Sequence, residues 1–267
     1  MTFLNKTKHE DLQWLLNECS KHITIDHELA ISTVKNHFGI IKKKLEPHSD
    51  NQIIRLEKKW YQSLQSSPDY SVYSDPFYIC DIWVCWALYS NKSIKAIINK
   101  KALGDKSVVD SIGGVKTVLD LGCGFGFTTA CLAEIFKGAE VYGTNLPDTF
   151  QYKICEKISK QSNFKIFKSA DCLKRVDVIF ASEYFEHIEN SLEHLYEIIC
   201  QNSPRMLVVA NGYNGYAIGH FNKYIYQGKT YSAKRTSYNF GKMMRFLGYD
   251  KLKTKIWNNR PAVWVKR

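Results

Sequence analysis

One stretch limits what this chain can fold into more than any other. "KTVLDLGCGFGFTTACLAEIF", residues 116–136, sets a short apolar run, an acid, three glycines and a helical pattern in that order. A short apolar run closed by glycine reads as a buried strand. The segment after it reads as a helix from about Phe127. A strand that turns through glycine into a helix is the opening of a β-α-β unit.

The alternation continues to the end of the chain. "AEVYGTNL", "FKIFKSA", "RVDVIFAS" and "RMLVVAN" read as further strands. "PDTFQYKICEKISKQ", "NSLEHLYEIICQ" and "SYNFGKMMRFLG" read as helices between and after them, the last closing at Gly248. "KLKTKIW", a turn at "NNRP" and "AVWVKR" read as a terminal hairpin. The expected fold is α/β: a doubly wound, mostly parallel seven-stranded sheet with an antiparallel C-terminal hairpin, over residues 113–267.

Residues 1–112 have a different texture and are expected to form a helical N-terminal lobe. "HEDLQWLLNECSKH", "IDHELAISTVKNHFGIIKKKL" (stopped by Pro47) and "DNQIIRLEKKWYQSL" carry apolar residues at helical spacing. "SDPFYICDIWVCWALYSNKSIKAIINKK" is a fourth helix, with Asp75 as cap and Pro76 in the first turn. Asp81, between the apolar residues of that helix, reads as a surface acid or a group facing substrate.

Composition narrows the class. Of 267 residues, 45% are hydrophobic and 24% charged, which supports one large domain with an appended lobe. The N-terminus has no apolar stretch of signal-peptide length. The longest apolar run, Phe77 to Leu88, is broken by Asp81 and too short to span a bilayer. The expectation is a soluble, cytoplasmic protein without a membrane partner. The eight cysteines form no C-x-x-C pair, so they are expected to be free and reduced.

Net charge is +11, and its location matters more than its size. Residues 201–267 hold 13 Lys and Arg against a single acid, Asp250. Aromatics are interleaved with these bases, among them Tyr213, Tyr224, Tyr231, Tyr238 and Phe246. Positive charge meets phosphates and aromatic faces stack bases, so RNA or DNA is the expected partner of this quarter. Packing under the sheet accounts for many of the same aromatics. Oligomeric state is left open.

The glycine loop is Gly122-Cys123-Gly124-Phe125-Gly126. A dinucleotide loop would need glycine where Phe127 stands, and a Walker loop would need a following lysine. Asp120, two residues before the first glycine, would repel a pyrophosphate and attract an ammonium. An acid followed by G-x-G-x-G suits a nucleoside joined to an amino acid, as in S-adenosylmethionine.

On these residues the chain resembles the class I S-adenosylmethionine-dependent methyltransferases, over about residues 113–267. "VLDLGCGFG" is close to their first motif, which implies cofactor contacts at Asp120, Gly122, Cys123, Gly124 and Gly126. The family's second strand ends in an acid that binds the ribose hydroxyls; Asn145 stands there in this chain. "SADCL" is similar to the adenine-contacting segment, with Asp171 accepting from the amino group beside Cys172. The helical lobe would be the family's variable lid or substrate wall.

"ASEYFEHI" is similar to the family's fourth motif, with Glu183 at the cofactor and Glu186 and His187 at the acceptor. If a helix starts here, Glu183, Glu186 and His187 share one face. "ANGYNGYAIGHF" then supplies Asn211, Tyr213 and His220. The simpler reading uses no metal and makes His187 a structural group or general base, with Glu186 and His220 beside it. A resemblance to small-RNA 3′-terminal ribose methyltransferases implies the alternative, a metal on Glu183, Glu186, His187 and His220. The chain lacks the Pro-Pro-Tyr loop of exocyclic-amine methylation and the Pro-Cys of cytosine C5 methylation. The reading is therefore methyl transfer to a nucleic acid or other anionic substrate. A small-molecule O- or N-methyltransferase and a non-catalytic cofactor-binding scaffold are the rivals.

Overall fold

The computed structural model describes residues 17, 47–75, 78–79, 112–213, 217–254 and 261–267. The helices expected over 9–22 and 25–45, and nearly all of the one over 74–101 with Asp81, lie outside these residues. So do residues 255–260, which include most of the "NNRP" turn. The chain divides into two compact units, Thr2–Tyr89 with Tyr216–Gly219, and Ser90–Gly215 with His220–Arg267.

In the first unit the third expected helix is present as α1, Pro47–Ser63. Pro47 opens this helix. Its missing N–H falls among the donors that a first turn leaves unpaired anyway. Leu56 and Trp60, one turn apart, are buried. Trp60 packs 5.8 Å from Tyr70 and 6.2 Å from Tyr73 between ring centroids. Asp69 caps the short 3-10 turn Tyr70–Ser74 by accepting from the Ser71 amide at 2.9 Å.

The second unit holds the sheet. Its strands are β1 (Thr117–Leu121), β2 (Glu140–Thr144), β3 (Lys165–Phe167), β4 (Val178–Ser182), β5 (Met206–Ala210), β8 (Tyr249–Lys251) and β9 (Ala262–Lys266). They are ordered β3-β2-β1-β4-β5-β9-β8. The first five run parallel, and β9 and β8 are antiparallel additions. β4 and β5 are buried along their whole length, as parallel strands covered on both faces must be. The chain order reverses between β1 and β4. That opens a crevice at their carboxyl ends, where ligands of such sheets bind.

Among the described residues, four helices flank the strands: α2 (Phe127–Ile135), α3 (Phe150–Ser162), α4 (Ser191–Asn202) and α5 (Ala233–Phe246). α2 is buried on nearly every side at its start, from Phe127 to Leu132. α3 is capped by Thr149, whose hydroxyl accepts from the Tyr152 amide at 3.2 Å, and ends on Asn163 in the left-handed region. α5 is capped by Ser232 and turns Thr236, Phe240 and Met244 inward, one residue per turn.

Two elements differ from expectation. The first strand of the terminal hairpin is Tyr249–Lys251 and so begins two residues before the expected start at 251; residues 255–257 of the expected strand lie outside the described residues. Tyr249 is fully buried and donates its phenol to the Pro204 carbonyl at 2.5 Å, so pairing starts directly after Gly248. A second hairpin, β6 (Lys223–Tyr226) with β7 (Lys229–Ser232), lies in the stretch read as a basic aromatic tail. Its turn, Gln227-Gly228, has φ of 49° and 70°, the two-residue geometry that matches strand twist.

Gly126 fixes how α2 leaves the sheet. It has φ 90°, and an added Cβ would lie 2.7 Å from the Cys155 sulfur and 2.9 Å from a Phe164 ring carbon. Gly126→Ala should lower unfolding free energy by about 3 kcal/mol, combining left-handed strain with overpacking. Urea denaturation of the full chain checks this; a loss under about 1 kcal/mol would mean the helix entry relaxes freely.

Candidate active site

The glycine loop joins β1 to α2 with Gly122, Gly124 and Gly126 all at positive φ. Three hydrogen bonds fasten it to the end of β2. The Cys123 amide donates to the Thr144 carbonyl at 2.8 Å and the Gly122 amide to the Thr144 hydroxyl at 3.3 Å. The Asn145 side-chain amide donates to the Gly124 carbonyl at 2.7 Å, while its oxygen accepts from the Leu146 amide at 2.8 Å. This gives the departure from the family's acid a physical reason. A carboxylate cannot donate, and at this place it would face the Gly124 carbonyl oxygen. The space beyond Gly124 is open for a ligand to approach the backbone.

Asp120 is 2% exposed and accepts from the Thr129 hydroxyl at 2.7 Å. Burial pushes its carboxyl up to about 7, against the hydrogen bond from Thr129, which favours the charged form. A cationic group brought beside it would return it to the carboxylate. Asp171 sits in the 3-10 turn Ala170–Cys172. It is exposed and accepts from Ser169 at 2.7 Å, a bond that leads in holding its carboxyl below the usual value. Cys172 is exposed and Cys123, Cys131 and Cys155 are buried; none of the four is in a disulfide, and the Cys123 and Cys155 sulfurs lie 3.6 Å apart.

The second half of the site grows from the ends of β4 and β5. The Glu183 amide donates to the Ala210 carbonyl at 2.7 Å, and Glu183 then turns to φ 49°. A short 3-10 turn, Phe185–His187, follows instead of an α-helix. Glu183 therefore lies ahead of the turn, and the shared-face geometry expected for a helix start does not apply. The convergence arises by another route: one donor atom each from Glu183, Glu186 and His220 lie within 4.8 Å of one another. His187 adds its ring edge-on to His220, with centroids 4.7 Å apart.

Glu186 is the centre of this group. It is wholly buried, and its Oε1 accepts from the Gly212 amide. Its backbone carbonyl accepts from the Phe221 amide at 3.2 Å and the Tyr224 phenol at 3.0 Å. Among the described residues, its other carboxyl oxygen, Oε2, has no hydrogen-bond partner, and neither do the buried Ser182 hydroxyl and the Asn211 side-chain oxygen. Burial, then the charge of Glu183, pushes the Glu186 carboxyl well above its usual range. Gly212 lets the cluster close: a Cβ there would lie 3.1 Å from His220 Cε1 and 3.3 Å from Glu186 Oε1.

Tyr184 joins the halves. Its ring lies against Gly122, where an added Cβ would be 2.5 Å away. Its phenol shares a 2.8 Å hydrogen bond with His194 Nε2, and burial raises its pKa. Ser182, Tyr184, Gly212 and Tyr224 were missed at the level of sequence. The glycine following strand five was the one visible signal among them.

Residues 119–200 match the family model described as a methyltransferase domain. No match was found among the curated proteins. Among solved structures, the S-adenosylmethionine-dependent methyltransferase from Aquifex aeolicus is 15% identical over 68% of this chain and 95% of its own, with a TM-score of 0.40. Mitomycin 7-O-methyltransferase MmcR is 10% identical over 90% and 67%, with a TM-score of 0.48. The S-adenosylhomocysteine-bound N-terminal domain of EvdMO1 is 16% identical over 38% of this chain, with a TM-score of 0.33; the chain spans 44% of it.

Two predictions follow from the loop. Between 3.8 and about 7, folded Asp120 keeps a proton that the unfolded chain has lost, so its contribution to stability falls as pH rises through that window. Thermal melts of Asp120→Asn from pH 4 to 8 should lack this fall, and the variant should lose S-adenosylmethionine binding. Asn145→Asp should weaken that binding about tenfold by calorimetry, a loss of about 1.4 kcal/mol; equal or tighter binding would show that the tether is dispensable.

Proposed function

We propose that the chain, whose residues 119–200 match the family model described as a methyltransferase domain, is an S-adenosylmethionine-dependent methyltransferase that acts on a nucleic acid or other anionic substrate at Glu183, Glu186, His187 and His220. One observation carries this reading. Glu183, Glu186 and His220 each bring one donor atom within 4.8 Å of one another, His187 lies edge-on to His220, and Glu183 is one residue from the ring that lies on the glycine loop. When bound, S-adenosylmethionine would supply a methyl group on a sulfonium for in-line transfer to the acceptor, the C–S bond breaking and the thioether S-adenosylhomocysteine leaving.

The chain's own residues provide placement and proton handling. Gly124 admits the ligand to the backbone, Tyr184 packs on Gly122, and Asn145 holds the loop to β2. Asp120 meets the cationic end of the ligand. Glu186, fixed by Gly212, Phe221 and Tyr224, orients the acceptor side. His187 takes the acceptor proton, and its edge contact with His220 sets its plane. The substrate class rests on charge: 13 basic residues against one acid in the last quarter. If that charge were only solubilising, the acceptor would be a small molecule.

A second reading is favoured by the unpartnered Glu186 Oε2. Two carboxylates and imidazole offer the oxygen and nitrogen donors that a divalent first-row ion takes. Glu183, Glu186 and His220 would hold it, with His187 alongside, and it would make an acceptor hydroxyl more acidic. An unpaired buried carboxyl oxygen is costly, and this use would offset the cost.

Methyl-labelled S-adenosylmethionine with separated RNA, DNA, protein and metabolite pools tests the substrate class; label confined to metabolites would overturn it. His187→Ala should reduce kcat at least a hundredfold with KM changed less than threefold. A loss confined to KM would make His187 a binding group. Activity abolished by a chelator and restored by Mn²⁺ would support the metal reading, and full activity in chelator would exclude it.

A further inference from the structure

α5 carries an outward face that the fold does not use. At about 100° per residue, Arg235, Tyr238, Lys242, Arg245 and Phe246 fall within about a 100° arc of the helix. Thr236, Phe240 and Met244 occupy the opposite arc and are buried. Phe246 is 85% exposed and Tyr238 54%. Arg235 and Lys242 both reach the Tyr238 ring, at 5.3 and 4.9 Å from its centroid. Arg245 lies over Trp264 at 5.8 Å.

The charge on this face is uncompensated. α5 contains no acid. Asp250, the single acid of residues 201–267, is taken by Arg267 at 2.9 Å. Among the described residues, Arg235, Lys242 and Arg245 have no acidic partner. The cations span ten residues, about 15 Å along the axis. The cation–π contacts of Arg235 and Lys242 with Tyr238 give the fold a modest gain, but they leave Phe246 in water and the positive charge without a counter-charge. A polyanion carrying flat apolar rings would engage both.

We propose that this face of α5 docks single-stranded nucleic acid outside the methyl-transfer cluster. Phosphates meet Arg235, Lys242 and Arg245, and bases stack on Tyr238 and Phe246. A membrane-surface helix would present a broad apolar face outward; α5 turns its apolar face inward. The inner face of the helix meets the site's own walls, because the Phe240 ring lies 5.2 Å from Phe185, next to Glu186. A docked strand would thus lie about one helix diameter from the cluster. This inference rests on the nucleic-acid reading above and extends it to a docking surface.

The test uses the full chain and a fluorescein-labelled 20-nucleotide oligouridine, followed by anisotropy across a salt series. The double variant Arg235→Glu, Lys242→Glu should bind at least tenfold more weakly. Its log–log salt slope should flatten by roughly 1.4, from two phosphate contacts at about 0.7 each. Tyr238→Ala with Phe246→Ala should weaken binding by roughly fivefold or more at an unchanged slope. Cofactor calorimetry and thermal melts should match wild type for both, because the substituted side chains face solvent. Wild-type binding that neither double variant weakens would overturn the proposal. So would the absence of wild-type binding, or charge-dependent binding to phosphatidylserine vesicles in its place. Binding that maps to α5 with no label transferred to any nucleic acid would uphold this surface and overturn the substrate reading.

Discussion

The site depends on a contact that only glycine permits. Tyr184, leaving β4, lays its ring on Gly122, leaving β1, at the point where the sheet reverses its strand order. Any side chain at 122 would collide with that ring. The contact holds the glycine loop and the turn after β4 at a fixed separation. Glu183 and the Phe185–His187 turn are the residues on either side of Tyr184, so the Glu183–Glu186–His220 cluster inherits that position. Gly212 works in the same way after β5, where the absent Cβ leaves room for Glu183, Glu186 and His220 to meet. Strands buried along their whole length make these ends rigid, and rigidity is what positioning catalysis requires.

Electrostatic cost marks the same places. Asp120 and Glu186 are buried acids whose carboxyls are pushed up chiefly by burial. Asp120 keeps one compensating hydrogen bond, and Glu186 leaves one oxygen with none. Polar atoms left unpaired in an interior cost stability, and native chains retain few. Ser182 and Asn211 add two more at the ends of the same two strands. Three such atoms at adjoining strand ends, beside a glycine loop, fit a surface completed by ligand.

Much of this was legible in the sequence, and the parts that were not share a cause. The glycine loop, the parallel strands and the helix starting at Phe127 follow from local pattern, because strand burial and glycine punctuation are written in consecutive residues. The role of Asn145 was not legible. Its partner, Gly124, is 21 residues away and is reached only when β1 and β2 pair. Helical spacing pointed to a shared face for Glu183, Glu186 and His187, with His220 joined to them by resemblance; the chain instead brings Glu183, Glu186 and His220 together with a left-handed residue, a 3-10 turn and a loop 33 residues on. The β6–β7 hairpin was hidden because its alternating aromatics also fit a basic nucleic-acid tail.

That last ambiguity resolves by residue. Tyr213 and Tyr224 are buried, with ring centroids 5.1 Å apart, and Tyr224 pins the Glu186 backbone. Phe240 packs against Phe185. These aromatics build the wall of the site, and stacking on nucleic acid is closed to them. Tyr238 and Phe246 point the other way, among cations without acidic partners. A stretch that composition alone reads as one binding tail is two structures, an inner wall supporting the cluster and an outer face carrying the charge. The outer face can respond to salt as nucleic-acid binding does and the inner wall cannot, because screening acts on exposed charge and leaves buried packing intact.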